Sequence, residues 1–173
     1  MGASQSKVNN IRSSEGSIAM CAVCPTAHNC CSRVNAPQGV DAPIVFPVEV
    51  DAISQATSLL PAEFATPDDS SSYSWLQSTQ DGCVFLRLGR CQVYDVRPLD
   101  CRLFPLDLVE LRNGQIAWIA YTSICPTSYD PEPLLRNAKA LLQNSPIDMS
   151  AYARARIPLL EEHAFRVLEL VGP

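Results

Sequence analysis

All eight cysteines of this 173-residue chain fall between Cys21 and Cys125, and this clustering constrains the fold more than any other feature of the sequence. Thiolates are soft ligands that suit zinc, iron and iron–sulfur clusters. Two cysteines separated by two residues, as Cys21 and Cys24 are, can reach one metal ion from a single turn. The cysteine count alone allows disulfides as well as metal ligation. The candidate metal ligands are Cys21, Cys24, Cys30, Cys31, Cys83, Cys91, Cys101 and Cys125.

The start of the chain favours metal ligation over disulfides. Met1–Gly16 is polar, and the apolar run Ile18–Cys24 is too short for a secretory signal. No segment approaches the roughly 18 apolar residues of a membrane-spanning helix. We therefore expect a soluble, cytoplasmic protein whose thiols stay reduced. The opening residues Met1–Ser6 also fit the pattern for N-myristoylation at Gly2, although a flexible polar tail is the simpler interpretation.

Composition excludes two classes of partner. Hydrophobic residues make up 47% of the chain and charged residues 18%, as in an ordinary globular protein. The net charge is −5 and the sequence contains no run of lysine and arginine, so we expect neither nucleic acid nor an anionic membrane surface as a partner. A protein partner is compatible with this composition.

The pattern of elements predicts one small α+β domain with short antiparallel strands, cysteine-rich loops and C-terminal helices. Residues 1–17 are polar and aperiodic, and we expect a disordered lead. The cysteine-rich, metal-binding part then covers residues 18–126, and the C-terminal helices of residues 127–173 pack on the same domain.

Hydrophobic periodicity and turn residues predict the individual elements. Three helices are predicted. The first, 47–59, starts at Pro47, and the second, 131–143, is capped by Asp130. The third, 148–170, is kinked or split in two at Pro158. Between the first two, residues 61–81 read as loop with short extended pieces. The predicted hairpins join strands 83–88 and 91–94 through Gly89-Arg90, and strands 106–111 and 115–124 through Arg112-Asn113-Gly114.

The cysteine blocks resemble a known family. Cys21-x-x-Cys24 precedes Cys30-Cys31, and the more specific second block is Cys83-Val-Phe-Leu followed by Cys91-x-Val-Tyr94-x-x-Arg97-Pro98-x-x-Cys101-Arg102-x-Phe104-Pro105. Together they are similar to the CxxCxxCC family of zinc- or iron-chelating proteins. The family's first block usually has two residues before the Cys-Cys pair, whereas Pro25–Asn29 makes five here. This longer spacing places His28 where it could substitute as a ligand.

The resemblance implies a metal site that holds an iron–sulfur cluster, most simply 4Fe–4S, or iron, with zinc as the alternative. The resemblance implies no settled reaction, and our leading hypothesis is a role in electron transfer, redox sensing, or metal and cluster handling. A structural zinc module that binds a protein partner is the alternative from a different class. A metalloenzyme, or an accessory to a protein-modifying enzyme, is a further one, because flagellin lysine N-methylases are similar in their cysteine blocks. No catalytic residue is assigned.

Two arginines flank Cys101 and are candidates to interact with a bound centre. Cationic neighbours such as Arg97 and Arg102 lower a thiol pKa and stabilise thiolates or an anionic cluster. The competing interpretation is that both arginines pair with carboxylates of the scaffold, namely Asp95, Asp100 or Asp107. For His163 we expect a solvated or capping role in the terminal helix rather than metal ligation.

Overall fold

Short helices and strands alternate along the part of the chain that the computed structural model describes, which comprises residues 29–32, 34, 41–69, 71–125, 129–156 and 163–172. The helices are α1 (Asn29–Ser32), α2 (Pro47–Thr57), α3 (Leu99–Leu103), α4 (Pro131–Gln143) and α5 (Met149–Ala155). The strands are β1 (Ile44–Val45), β2 (Ala65–Pro67), β3 (Ser74–Leu76), β4 (Ser78–Thr79), β5 (Gly82–Cys83), β6 (Leu86–Arg87), β7 (Arg90–Cys91), β8 (Leu106–Glu110), β9 (Ile116–Tyr121) and β10 (Phe165–Leu170). The predicted α+β class is confirmed. The predicted disordered lead, Gly2, Cys21, Cys24, His28 and Pro158 lie outside the described residues.

The hairpin of β8 and β9 is the centre of the larger sheet. Its strands pair antiparallel, with Leu106 opposite Ala120 and Leu108 opposite Trp118. The turn follows the predicted Arg112-Asn113-Gly114, where Gly114 adopts φ 79°, a conformation that glycine takes without steric cost. This hairpin prediction is confirmed, because β-branched and aromatic residues on both sides of a strong turn signal specify it locally.

The predicted helix 148–170 is wrong over Phe165–Leu170, which forms a strand that pairs antiparallel with β9. The strand order of this sheet is β10–β9–β8. The register shifts between Val167 and Glu169, which breaks the alternation of a regular strand. As a result the half-buried residues Phe165, Leu168 and Val171 fall three apart, a spacing that resembles a helical face in the sequence.

Two apolar layers cover the faces of this sheet. On one face Leu106, Leu108 and Trp118 pack against the helices, through residues that include Leu135 and Tyr152. The other face carries a smaller cluster, which comprises Val109, Ala117, Ile119, Tyr121 and Ile124. β8 and β9 are therefore buried on both sides, and Leu108, Val109 and Ile119 are fully inaccessible.

The helix α4 matches its prediction over 131–143. The Asp130 side chain caps it by accepting a hydrogen bond from the Glu132 N–H at 3.1 Å, and Leu135, Ala138 and Leu142 form its buried face. α5 is capped in the same way, because Asp148 accepts from the Ala151 N–H at 2.7 Å. Among the described residues, no helix combines the length and the apolar character needed to cross a membrane.

The second core surrounds α2, which starts at Pro47 as predicted and ends two residues earlier than predicted, at Thr57. Ile53 is its buried anchor. Residues 61–81 form a 3₁₀ turn at Pro61–Glu63 and short extended pieces, as predicted. β1, β3 and β2 pair in that order, and the apolar residues behind them are Val45, Phe64, Leu76, Phe85 and Val93.

Two small hairpins carry the middle cysteines. β4 pairs with β5, which places Ser78 opposite Cys83, and β6 pairs with β7, which places Leu86 opposite Cys91. The predicted turn at Gly89-Arg90 is shifted by one residue, to Leu88-Gly89. Both residues have positive φ, 50° and 70°, as a two-residue hairpin turn with the right-handed strand twist requires.

Candidate metal centre

Five of the six described cysteines line one cavity of about 90 Å³. Four different elements bring them there. α1 supplies Cys30 and Cys31, β5 supplies Cys83, β7 supplies Cys91 and α3 supplies Cys101. The two cysteine blocks are thus brought together in space, although 51 residues of sequence separate Cys31 from Cys83. We call this cavity the cysteine pocket.

The rest of the cysteine pocket is mainly apolar. Val34, Leu76 and Phe85 line it and are themselves buried in the second core. Cys83 is only 8% exposed. Three polar residues also reach the wall, namely Tyr94, Arg97 and Asp100. A group bound in this pocket would therefore contact mainly apolar side chains and thiols.

Gly82 allows α1 to approach β5. A Cβ at this position would overlap the Cys31 carbonyl oxygen and would lie 2.6 Å from the Ser32 Cα, and these neighbours are backbone atoms that cannot rotate away. Gly82 also adopts φ 103°, which L side chains rarely tolerate. A side chain here would push α1, with Cys30 and Cys31, away from Cys83. Sequence analysis did not identify this residue as part of the site, and its position directly before Cys83 is the only available signal.

Three thiols of the pocket, those of Cys83, Cys91 and Cys101, favour their neutral form when no cation is present. Burial raises the pKa of Cys101 well above its ordinary value, and the neighbouring Asp100 carboxylate and the thiols of Cys31, Cys83 and Cys91 raise it further. Burial also raises the pKa of Cys83 and of Cys91. A bound metal cation reverses this preference, because coordination deprotonates a thiol. These mutual effects show that the four thiols are close enough to interact electrostatically.

The thiols lie around the wall of the pocket. Within the described ranges, no three His, Cys, Asp or Glu side chains form a group that could hold a metal ion as they stand. A single ion ligated by three of these thiols would therefore require their side chains to move closer together.

Arg97 contributes a cation to the pocket wall. Its guanidinium carbon lies 3.9 Å from the centre of the Tyr94 ring, a cation–π contact, and its Nη1 donates to the Tyr94 carbonyl at 2.6 Å. Its Nε is buried and has no hydrogen-bond partner among the described residues. The same charge lowers the pKa of Cys91 and so opposes the effect of burial. Arg97 therefore lies where its predicted interaction with a bound centre is possible.

Arg102 lies outside the cysteine pocket. It lines a separate groove between α2 and α4, together with Glu49 and the other side of Arg97. Burial lowers the pKa of Arg102, and the nearby positive charge of Arg97 lowers it further, whereas Glu49 raises it. The structure thus places Arg97 at the cysteine pocket and Arg102 outside it, although both flank Cys101 in the sequence.

A buried charge network connects α3 to α5 and β8. Arg156 donates from Nη1 to Asp100 and from Nε to Asp107, both at 2.9 Å, and the Tyr152 and Tyr121 hydroxyls lie 2.9 Å from the Asp107 carboxylate. Asp100 also accepts from the Ile44 N–H at 2.9 Å. The predicted scaffold carboxylates Asp100 and Asp107 therefore pair with Arg156 instead of Arg97 or Arg102. Sequence analysis missed Arg156, because nothing local marks a single arginine at a helix end.

Two further candidates lie elsewhere. Cys125 follows β9 and does not line the cysteine pocket. It lies near Tyr129, whose pKa is raised to about 12, mainly by burial and further by Cys125. His163 precedes β10, so its predicted position in a terminal helix is wrong. Its ring packs edge-on against Tyr121 with centroids 6.1 Å apart, and its Nε2 lies 4.0 Å from Asp41.

Comparison with known proteins identifies the family. The family model CxxCxxCC, described as "Putative zinc- or iron-chelating domain", matches residues 20–126. This range includes all eight cysteines and the walls of the cysteine pocket. No curated protein and no solved structure matches the chain. The chain belongs to the CxxCxxCC family of zinc- or iron-chelating domains.

Proposed function

We propose that the cysteine pocket holds a cysteine-ligated iron centre, most simply an iron–sulfur cluster, and that the protein acts in electron transfer, redox sensing or cluster handling. The observation that carries this proposal is the convergence of five thiols from four elements on one mainly apolar cavity of about 90 Å³. Buried cysteines are often simple core residues. Five of them around one cavity, with the thiol of Cys101 close to three others, is a donor set suited to a soft metal.

The residues present fit such a group. Thiolate-ligated clusters carry negative charge and accept hydrogen bonds at their sulfur atoms. The pocket wall offers the positive charge of Arg97 and its buried Nε–H, which has no partner among the described residues. The apolar side chains of the wall would exclude water from the group.

The arrangement of the thiols favours a cluster over a single ion. Each iron of a 4Fe–4S cluster takes one cysteine, so its ligands surround a volume instead of meeting at a point. Cys31, Cys83, Cys91 and Cys101 lie on four different elements around the pocket, and we propose these four as the ligands. Cys30 would then be a spare or exchanging ligand. Cys21, Cys24, His28 and Cys125 remain candidates for a second site.

The chain's own residues would have distinct roles at this centre. The four thiolates would ligate it, Arg97 would compensate its charge and tune its potential through a hydrogen bond, and Gly82 would permit the approach of α1. An iron–sulfur cluster supplies one-electron transfer at a potential set by its charge, hydrogen bonds and exposure to solvent.

Structural zinc is the second candidate, and it is supported by the family description, which names both metals. Sulfur ligands accept either metal, so a recombinant preparation can carry zinc in an iron site. The test is purification without air, followed by iron, zinc and acid-labile sulfide analysis and a visible spectrum. We expect a brown protein with broad visible absorption and with iron and sulfide in equal amounts. Colourless protein with stoichiometric zinc from its native source would contradict the iron proposal.

A further inference from the structure

The α2–α4 groove is a second cavity that the metal proposal does not use. It measures about 600 Å³ and lies between α2, the 3₁₀ turn Tyr94–Val96, α3, α4 and residues 145–147. Its apolar lining includes Val48, Leu141 and Ile147. This volume falls in the range of small-molecule sites, which combine an apolar wall with a few polar groups.

Two arginines share this groove without a direct ion pair to a carboxylate of the described residues. Arg97 and Arg102 both line it, and they are close enough for their like charges to repel. Neither forms an ion pair with any carboxylate in the part of the chain that the structure describes. Two guanidinium groups brought together in this way favour an anion between them, because each offers donors in a planar fork.

The acidic residues of the groove do not form ion pairs with these two arginines. Glu49 attracts Arg102, but its two carboxylate oxygens accept hydrogen bonds from the backbone N–H groups of Phe46 and Leu99, at 3.0 and 2.6 Å. Asp95 also lines the groove, and it is exposed and forms no ion pair within the described residues. Neither carboxylate therefore takes up the guanidinium N–H donors of Arg97 and Arg102, and these donors are available to a ligand.

We propose that the α2–α4 groove binds a small organic anion, whose carboxylate or phosphate group lies between Arg97 and Arg102 and whose apolar part contacts Val48 and Leu141. Asn144 lies at the same groove, where its Nδ2 donates to the Ala140 carbonyl at 2.9 Å. Because Arg97 lines both cavities, a ligand here would contact the same side chain as the proposed metal centre.

The test is a titration of the full-length protein with inorganic phosphate and, separately, with succinate, followed by two-dimensional NMR of the backbone and arginine Nε–H groups. We expect saturable shifts at Arg97, Arg102 and Asn144, with the tighter probe identifying the preferred anionic group. Arg102→Gln should weaken binding about 10- to 100-fold, as loss of a charged hydrogen-bonding group does.

The matched control is Arg87→Gln, which removes an exposed arginine from β6, outside the groove. It should leave binding within twofold. Equal weakening by both variants, equal binding of the uncharged succinamide, or no saturable shift with either anion would overturn the proposal. Arg102→Gln should keep its full metal content, so that loss of anion binding is distinguished from loss of the metal centre.

Discussion

Arg156 donates from its Nη1 to the Asp100 carboxylate at 2.9 Å, across 56 residues of sequence, and thereby ties α5 to the helix that carries Cys101. Its Nε makes the second contact, with Asp107 of β8. Both carboxylates and the guanidinium are buried. The position of α3, and with it of the Cys101 thiol, thus depends on a buried charge network whose Asp100 also lines the cysteine pocket.

Removing Arg156 should destabilise the fold strongly. Arg156→Leu leaves two carboxylates buried without their cation, and breaking a buried ion pair in this way costs about 3–5 kcal/mol. The free energy of unfolding, measured in urea on metal-free protein, checks this loss. Arg154→Leu is the control, because this neighbour is exposed in the same helix and should change stability by less than about 0.5 kcal/mol. Equal effects of the two variants would mean that the network is not needed.

A side chain at position 82 should separate the cysteine blocks. Gly82→Ala places a Cβ into the backbone of α1 and imposes strain at positive φ, which alone costs about 1–3 kcal/mol. We expect the variant to lose most of its bound metal, measured by elemental analysis after anaerobic purification. Gly89→Ala is the matched control, because Gly89 also has positive φ but a Cβ there meets no atom within 4 Å. If Gly82→Ala binds as much metal as Gly89→Ala, α1 does not contribute its cysteines.

Replacing a proposed ligand should lower the metal content of the protein more than replacing Cys125 does. Cys101→Ser and Cys31→Ser each replace a soft thiolate by a hard hydroxyl in the cysteine pocket, and each should lose most bound metal. Cys125→Ser should keep at least the metal that the cysteine pocket binds, because Cys125 lies outside that cavity. Metal-to-protein ratios of the three variants decide the matter. Wild-type stoichiometry in both pocket variants would show that the ligand assignment is wrong.

Glu49 should give the metal-free protein a specific pH dependence. Burial, the largest effect, raises the pKa of Glu49 above its ordinary value of 4.5, although the N–H groups of Phe46 and Leu99 oppose this shift. The folded state then holds the proton more tightly than the unfolded chain. The contribution of protonated Glu49 to the stability of the fold is therefore fully present below pH 4.5, and it is lost as the pH rises through the raised pKa of Glu49.

Urea unfolding of the wild type and of Glu49→Gln between pH 4 and 7 measures this effect. The stability advantage of the wild type over the variant should shrink as the pH rises. Glu63→Gln is the control, because the Glu63 carboxylate also accepts a backbone N–H, that of Leu60 at 2.7 Å, but it is exposed. A wild-type advantage that grows with pH would contradict the direction given for Glu49.

Local signals made part of this fold predictable. α4 follows from the Asp130 cap and a regular apolar face, and the β8–β9 hairpin follows from its turn residues, since each of these signals lies within a few residues of the element. β10 could not be predicted, because the register shift at Val167 disguises the period of the strand and the partner β9 lies far away in sequence.

The candidate site was predictable in its chemistry and not in its geometry. The residue types identified cysteine ligation, but nothing in the spacing separates Cys125 from the five cysteines that line the pocket. Arg97 and Arg102 both flank Cys101 in sequence, yet only Arg97 reaches the cavity. Gly82 and Arg156 act through contacts with distant residues, which local sequence patterns do not record.

The most direct test of the account is a crystal structure of anaerobically prepared protein with anomalous scattering measured at the iron edge. We predict anomalous density inside the cysteine pocket, with sulfur atoms of Cys31, Cys83, Cys91 and Cys101 at about 2.3 Å, a typical metal–thiolate distance. Iron bound elsewhere in the chain, with the five pocket cysteines free of metal, would contradict the central claim.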